Sequence, residues 1–200
     1  LKILDLIAAE GLAVDILAPD HGLIFRSPRD VAATLQVYRD FALQKPRNRA
    51  LIIYDTMWRS TERMAHAICR GLAGGGVDTV VMNLKQNHHS AVMTELAGCG
   101  LLAVGSPAHN NGILPPVAAA LTYLKGLRPK NRLGAAFGSY GWSGENTKIL
   151  AELLSAMGLP QPVEPLKVQF VPDATALSAC EAQGASLAAA LEKHCASYHP

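Results

Sequence analysis

Residues 50–62 read Ala-Leu-Ile-Ile-Tyr-Asp-Thr-Met-Trp-Arg-Ser-Thr-Glu. An unbroken apolar run ends at an acidic residue, a loop with three hydroxyls follows, and a helical pattern begins at its end. An apolar run without alternation marks a strand buried on both faces, as in a parallel sheet. Similar runs recur at 77–84, 100–105, 132–138 and 163–171, rich in Val, Leu, Ile and Ala. Helical patterns fit the intervals 61–73, 89–97, 116–126, 145–157 and 174–195, several closed by Gly or Pro, such as Gly158 before Pro160. Five rounds of strand then helix predict an α/β domain whose parallel sheet is covered on both faces.

Upstream of residue 50 the pattern changes. Leu1 to Gly11 has a helical apolar period, Val14 to Ala18 reads as a short strand, and Pro19-Asp20-His21-Gly22 is a turn. Ser27 is a good N-cap with Pro28 at the first helical position, and Val31, Leu35, Tyr38 and Ala42 mark one face of the helix that follows. Lys45-Pro46-Arg47-Asn48-Arg49 is polar and helix-breaking, so it reads as the junction.

Composition narrows the function classes. Half of the 200 residues are hydrophobic, 6% are aromatic and 17% charged, which suits an aliphatic core and argues against disorder. No apolar stretch reaches the roughly 20 residues that span a bilayer, and the start lacks a secretory leader pattern, so the expectation is a cytoplasmic protein. The net charge of +2 is spread without a basic block, giving nucleic acid or an anionic membrane no foothold. Cys69, Cys99, Cys180 and Cys195 show no C-x-x-C spacing and read as free, mostly buried thiols.

In an open α/β sheet, ligand chemistry gathers in the loops beyond the carboxyl ends of the strands. The loop after the first strand has hydroxyls at Thr56, Ser60 and Thr61 beside a helix start, where free N–H groups and the dipole favour an anion. Alone it also reads as ordinary capping by Ser60 or Thr61, with Glu62 in the first turn. After the third strand comes Ser106-Pro107-Ala108-His109-Asn110-Asn111-Gly112, in which Asn111-Gly112 tolerates positive φ and can present peptide groups to a flat ligand, or simply turn. After the fourth comes Gly138-Ser139-Tyr140-Gly141-Trp142-Ser143-Gly144-Glu145, two large aromatics among three glycines. Either a stacked aromatic cofactor or the domain itself covers that apolar surface.

Together the loops offer anion donors, backbone groups for a ring edge and aromatic faces. These are the demands of FMN. A dinucleotide fits worse, because no G-x-G-x-x-G follows the first strand and Gly74-Gly75-Gly76 reads as a helix terminator. There is no Walker A motif, and a phosphoacceptor receiver domain would want an Asp where Gly105-Ser106 stands.

The segments at 54–65, 105–112 and 138–145 resemble the flavodoxin domain of flavodiiron proteins, the A-type flavoproteins. The resemblance implies a flavodoxin-like three-layer sandwich with a five-stranded parallel sheet of order 2-1-3-4-5. By position it implies that Thr56, Met57, Trp58, Arg59, Ser60 and Thr61 surround the FMN phosphate. Pro107, Ala108, His109, Asn110 and Asn111 would edge the ring, with Ser139, Tyr140, Gly141 and Trp142 on its other side, and Ser106, Gly112 and Gly144 would be further cofactor-binding positions. Simple flavodoxins usually carry Gly where this chain has Arg59. Ala-Pro-Asp-His-Gly at 18–22 resembles the end of the family's metallo-β-lactamase-like diiron domain, which would make His21 an iron ligand in an intact protein.

The domains implied are a remnant of the diiron domain over 1–27, a linker helix and junction over 28–49, and an FMN-binding domain over 50–197. The remaining diiron ligands have no counterpart here, so the chain reads as a fragment of a protein about twice as long. The family's activity, reduction of oxygen or nitric oxide with electrons from rubredoxin or a similar donor, and its head-to-tail homodimer, are expectations for such an intact protein. Two other readings fit the same residues: a stand-alone NAD(P)H:quinone or flavin reductase of the same fold, and an interaction domain without cofactor.

Overall fold

The computed structural model describes residues 1–198. The chain forms two compact units, Leu1–Lys45 and a second from Pro46 onward. In the first, α1 (Lys2–Ala9) is followed by a turn and α2 (Pro28–Leu43). The Ser27 side chain accepts from the Asp30 N–H at 3.1 Å, and Pro28 occupies the first helical position where its missing N–H is not needed. Val31 is buried, whereas Tyr38 and Ala42 on the same stripe are exposed. The strand expected over Val14–Ala18 does not form. A single antiparallel bridge joins Leu17 to Phe25 across the Pro19–Gly22 turn, and a two-stranded ribbon with nothing to support it is marginal.

The second unit is built on the apolar run at 50. β1 (Arg49–Tyr54) pairs in parallel with β2 (Asp78–Asn83) on one side and with β3 (Leu101–Gly105) on the other. β4 (Leu133–Tyr140) and β5 (Leu166–Gln169) complete an all-parallel sheet of order 2-1-3-4-5. Central position explains the lack of alternation in β1: Ala50, Ile52 and Tyr54 face one layer of helices, Leu51 and Ile53 the other, and all five are buried. Each large aliphatic residue so buried contributes roughly 1.5–3 kcal/mol.

α3 (Ser60–Gly74) and α7 (Ala174–Ala196) cover the first face with Met64, Ile68, Leu72, Leu187 and Leu191. α4 (His89–Ala97), α5 (Pro115–Leu127) and α6 (Glu145–Ala156) cover the second with Val92, Leu96, Val117, Leu121, Leu150 and Leu154. Among the described residues no helix is long and apolar enough to cross a membrane.

The edges depart from expectation. β2 is mostly half-buried and shorter than 77–84. β5 covers only Leu166–Gln169 of the expected 163–171 and alternates between half-buried and exposed positions, because it has one neighbour. It ends where Phe170 takes φ 60°, a left-handed turn that breaks the ladder. β4 runs two residues further than 132–138, to Tyr140, because Ser139 and Tyr140 still pair with Val168 and Gln169.

The approach of α3 to α7 depends on two glycines. A Cβ on Gly184 would lie 2.2 Å from the Ile68 carbonyl oxygen, and one on Gly71 would lie 1.9 Å from that of Glu181. Both obstacles are backbone, so the helices would have to separate. Gly184→Ala is therefore expected to lower stability by about 1–3 kcal/mol despite alanine's better helix propensity. Gly126→Ala in α5, where nothing lies within 4 Å, is expected to leave stability unchanged or raise it. Urea unfolding midpoints check both.

Burial pushes the Cys99 and Cys180 thiols up to about 11. At pH 8 only about one in a thousand of each is thiolate, so labelling by a disulfide reagent, followed by peptide mapping, is expected at these two positions only after unfolding.

Candidate functional site

Strand order reverses between β1 and β3, since their following connections run to opposite sides of the sheet. Loops leaving the carboxyl ends of neighbouring strands there part and leave a crevice. A cavity of about 730 Å³ opens at this edge. Of the residues implicated by sequence, it is lined by Thr56, Met57, Trp58, Ser60, Pro107, Ala108, His109, Asn110, Asn111, Ser139, Tyr140, Gly141 and Trp142. The three loops therefore meet. Arg59, Thr61, Ser106, Gly112 and Gly144 are not part of the lining, and Ser143, Glu145, Phe170 and Val171 are additional to it.

The first wall is the turn from β1 into α3. Asp55 is buried, and its carboxylate accepts from the Thr56 N–H at 2.6 Å. Lys85, in the loop after β2, donates from Nζ to the Thr56 carbonyl at 2.6 Å and lies 3.5 Å from Asp55 Oδ1. Thr56 is 7% exposed, and its Oγ1 has no protein partner among the described residues. A buried hydroxyl without a partner is unfavourable by roughly 1–3 kcal/mol unless a ligand or water satisfies it. Beside it the first N–H groups of α3 have no carbonyl one turn back. Together these donors suit an anion such as a phosphate monoester.

Arg59 caps α3 at φ 66°, ψ 3°, the left-handed conformation that glycine adopts without strain. Its side chain turns away to Glu62, 2.7 Å from Nε to Oε2, and that partner holds the Glu62 carboxyl below the usual carboxylate range.

Of the sequence-implicated residues outside the lining, two are buried behind it and a third caps a helix. Thr61 is fully buried, its hydroxyl 3.4 Å from that of Ser139. Ser106 is also buried; its Oγ donates to the Pro107 carbonyl at 2.9 Å and accepts from the Leu114 N–H at 2.9 Å. Gly144 is the N-cap of α6. The second and third loops are joined by the Ala108 N–H, which donates to the Ser139 carbonyl at 2.8 Å. Asn146 donates from Nδ2 to the carbonyls of Ser106 at 2.7 Å and Ser139 at 3.3 Å. This seam is why residue 138 is glycine: a Cβ there would stand 2.0 Å from the Ser106 oxygen.

Positive φ in the second loop falls on Asn110 (48°) and Asn111 (56°), one position earlier than the Asn111-Gly112 pair that the sequence suggests. Two consecutive left-handed residues, closed by reciprocal bonds between His109 and Gly112, make a tight primed-type hairpin turn.

The rim is aromatic. Trp58 is 86% and Trp142 96% exposed, so neither indole packs against the domain. Tyr140 is half-buried with Lys167 Nζ 5.8 Å from its ring centre. Phe170 and Val171 project from the turn that ends β5. Sequence reading overlooked them by treating them as strand; the aromatic at the end of a four-residue edge strand was the available signal. A hydrogen bond from Ser143, reinforced by its own backbone N–H, holds the Glu145 carboxyl below its usual range, so the rim has a carboxylate at neutral pH. His21 belongs to the first unit, exposed in its turn, and no group of three or more metal-ligating side chains occurs among the described residues.

Comparison with known proteins agrees with this geometry. The flavodoxin family profile matches residues 52–184. The chain is similar to the rubredoxin-oxygen oxidoreductase of Megalodesulfovibrio gigas, 48% identical over 86% of this chain and 43% of the relative. It is 42% identical to the nitric oxide reductase of Moorella thermoacetica over 94% of this chain and 47% of the relative. The solved structure of the rubredoxin oxygen:oxidoreductase from Desulfovibrio gigas superposes with TM-score 0.94 at 43% identity, covering 98% of this chain and 49% of that one. The chain thus spans less than half the length of these curated relatives.

The left-handed Arg59 generates a test. Arg59→Val places a β-branched residue where it is strained, and is expected to be about 1–2 kcal/mol less stable than Arg59→Gly in urea unfolding. Equal midpoints would show that the α3 cap is not left-handed.

Proposed function

The chain belongs to the flavodoxin family, and on that premise we propose that its cavity binds one FMN and serves electron transfer in a flavodiiron oxidoreductase. Family membership implies a flavin; the choice of FMN rests on the first wall. The observation that carries the reading is the convergence of an anion-suited helix start, bearing an unpartnered buried hydroxyl, with an aromatic rim around one cavity.

In this reading the Thr56 hydroxyl, the Ser60 side chain and the backbone of Met57 to Thr61 hold the phosphate. Arg59 takes part through its peptide, since its side chain is engaged by Glu62. Peptide groups of Pro107 to Gly112 meet the ring edge, on a turn whose two left-handed residues hold it in one shape. Tyr140, Gly141 and Trp142 cover one face with Ser139 beside them in the lining, while the buried Ser106 and Thr61 support the walls and Gly144 starts α6. When bound, the flavin supplies a centre that accepts and donates one or two electrons. The protein's part is to fix the tail, exclude water from the ring and set the charge around it. Glu145 adds negative charge at the rim and so disfavours an anionic reduced ring.

The two relatives carry names that specify oxygen or nitric oxide as substrate and, in one case, rubredoxin as donor. We extend this by proposal to the longer protein of which this sequence would be a part: a rubredoxin-type donor, a diiron centre that reduces oxygen or nitric oxide with His21 among its ligands, and a head-to-tail homodimer. Residues 1–27 would then belong to the diiron domain, 28–49 to a linker and 50–197 to the flavin domain.

An absorption spectrum and a fluorescence-quenching titration test the cofactor. The reading predicts flavin bands and saturation at about one FMN per chain. Trp142→Ala is expected to weaken FMN binding roughly fivefold, since aromatic stacking contributes about 1 kcal/mol. A protein that leaves FMN fluorescence unquenched would contradict the proposal.

A further inference from the structure

Lys85 lies outside every motif considered above, in the loop that follows the edge strand β2. Its side chain is 55% exposed and does not line the cavity. It nevertheless reaches 29 residues back along the chain to the first wall, where Nζ meets the Thr56 carbonyl at 2.6 Å and Asp55 at 3.5 Å.

Two consequences follow from that contact. The Thr56 carbonyl and the Met57 N–H belong to the same trans peptide, and in a planar trans peptide the two bonds point in opposite directions. An ammonium group on the carbonyl therefore fixes the direction of the Met57 N–H, one of the donors of the loop. Rotation of that peptide would present a carbonyl dipole where the loop offers an N–H. The second consequence is electrostatic. Asp55 is a buried carboxylate adjoining a loop suited to anions, and Lys85 is the cation paired with it. Without it, a phosphate approaching the loop would meet an uncompensated negative charge.

We infer that Lys85 is a positioning residue for phosphate recognition, making the site select flavins that carry a 5′-phosphate over those that do not. The inference rests on the flavin reading of the cavity and deepens it. Lys85 acts on the phosphate through the Thr56–Met57 peptide and through Asp55. Its effect is therefore confined to the tail of the ligand, because neither group belongs to the aromatic rim.

The test compares FMN with riboflavin, which has the same ring and lacks the phosphate. Dissociation constants for both are measured by fluorescence quenching for the wild-type chain, Lys85→Met, Lys85→Arg and Lys148→Met. Lys85→Met is expected to weaken FMN about tenfold, the scale of one charge-assisted hydrogen bond, while riboflavin changes by less than about twofold. Lys85→Arg, which keeps a cationic donor, is expected to stay within about threefold of wild type for FMN. Lys148→Met removes one charge from an exposed position of α6 and controls for net charge. Equal losses for FMN and riboflavin in Lys85→Met, or no loss for either, would overturn the inference while leaving the flavin site intact. A wild-type chain that binds neither compound would overturn the reading of the cavity and this inference with it.

Discussion

Parallel strands that end side by side deliver their loops to one rim, but they do not by themselves hold the loops together. Here the joining is done by a short seam of hydrogen bonds below the cavity. The Ala108 N–H and Asn146 Nδ2 share the Ser139 carbonyl, Asn146 also takes the Ser106 carbonyl, and Thr61 meets Ser139 through their hydroxyls. Four of these five residues, all but Ala108, are buried, so these bonds form away from competing water. The seam requires glycine at 138 and ties the turns after β1, β3 and β4 into one rigid floor. The exposed indoles of Trp58 and Trp142 and the left-handed Asn110-Asn111 turn stand on that floor.

What was legible in the sequence follows from where each residue gets its information. β1 was legible because a central strand must be apolar on both faces, and that constraint is written residue by residue. α3 was legible through its start, where Ser60-Thr61-Glu62 reads as helix capping, and α6 through the helical pattern that begins at 145. The three cavity loops stood out because glycines, asparagines and aromatics cluster between strand and helix. β5 was misjudged because an edge strand is constrained on one side only, and Pro165 and Phe170 cut it to four residues.

The contacts that organise the site were not legible. Lys85 to Thr56 and Asn146 to Ser106 join positions 29 and 40 residues apart, and nothing local marks either side chain as a partner. Gly71 and Gly184 are equally silent: inside a helical pattern each reads as a weak helix former, and only the crossing of α3 and α7 gives it a purpose. Thr61 and Ser106 illustrate the converse, being singled out by motif yet buried outside the cavity lining. A motif marks a place in the chain, whereas burial decides which of its atoms meet a ligand.

Hydrogen–deuterium exchange with and without FMN probes most directly the proposal that three separate segments form one flavin site. Added FMN is predicted to slow exchange in peptides covering 56–61, 106–112 and 139–145 together, with the remaining strands unchanged. Protection in only one of these segments, or mainly elsewhere on the surface, would contradict it.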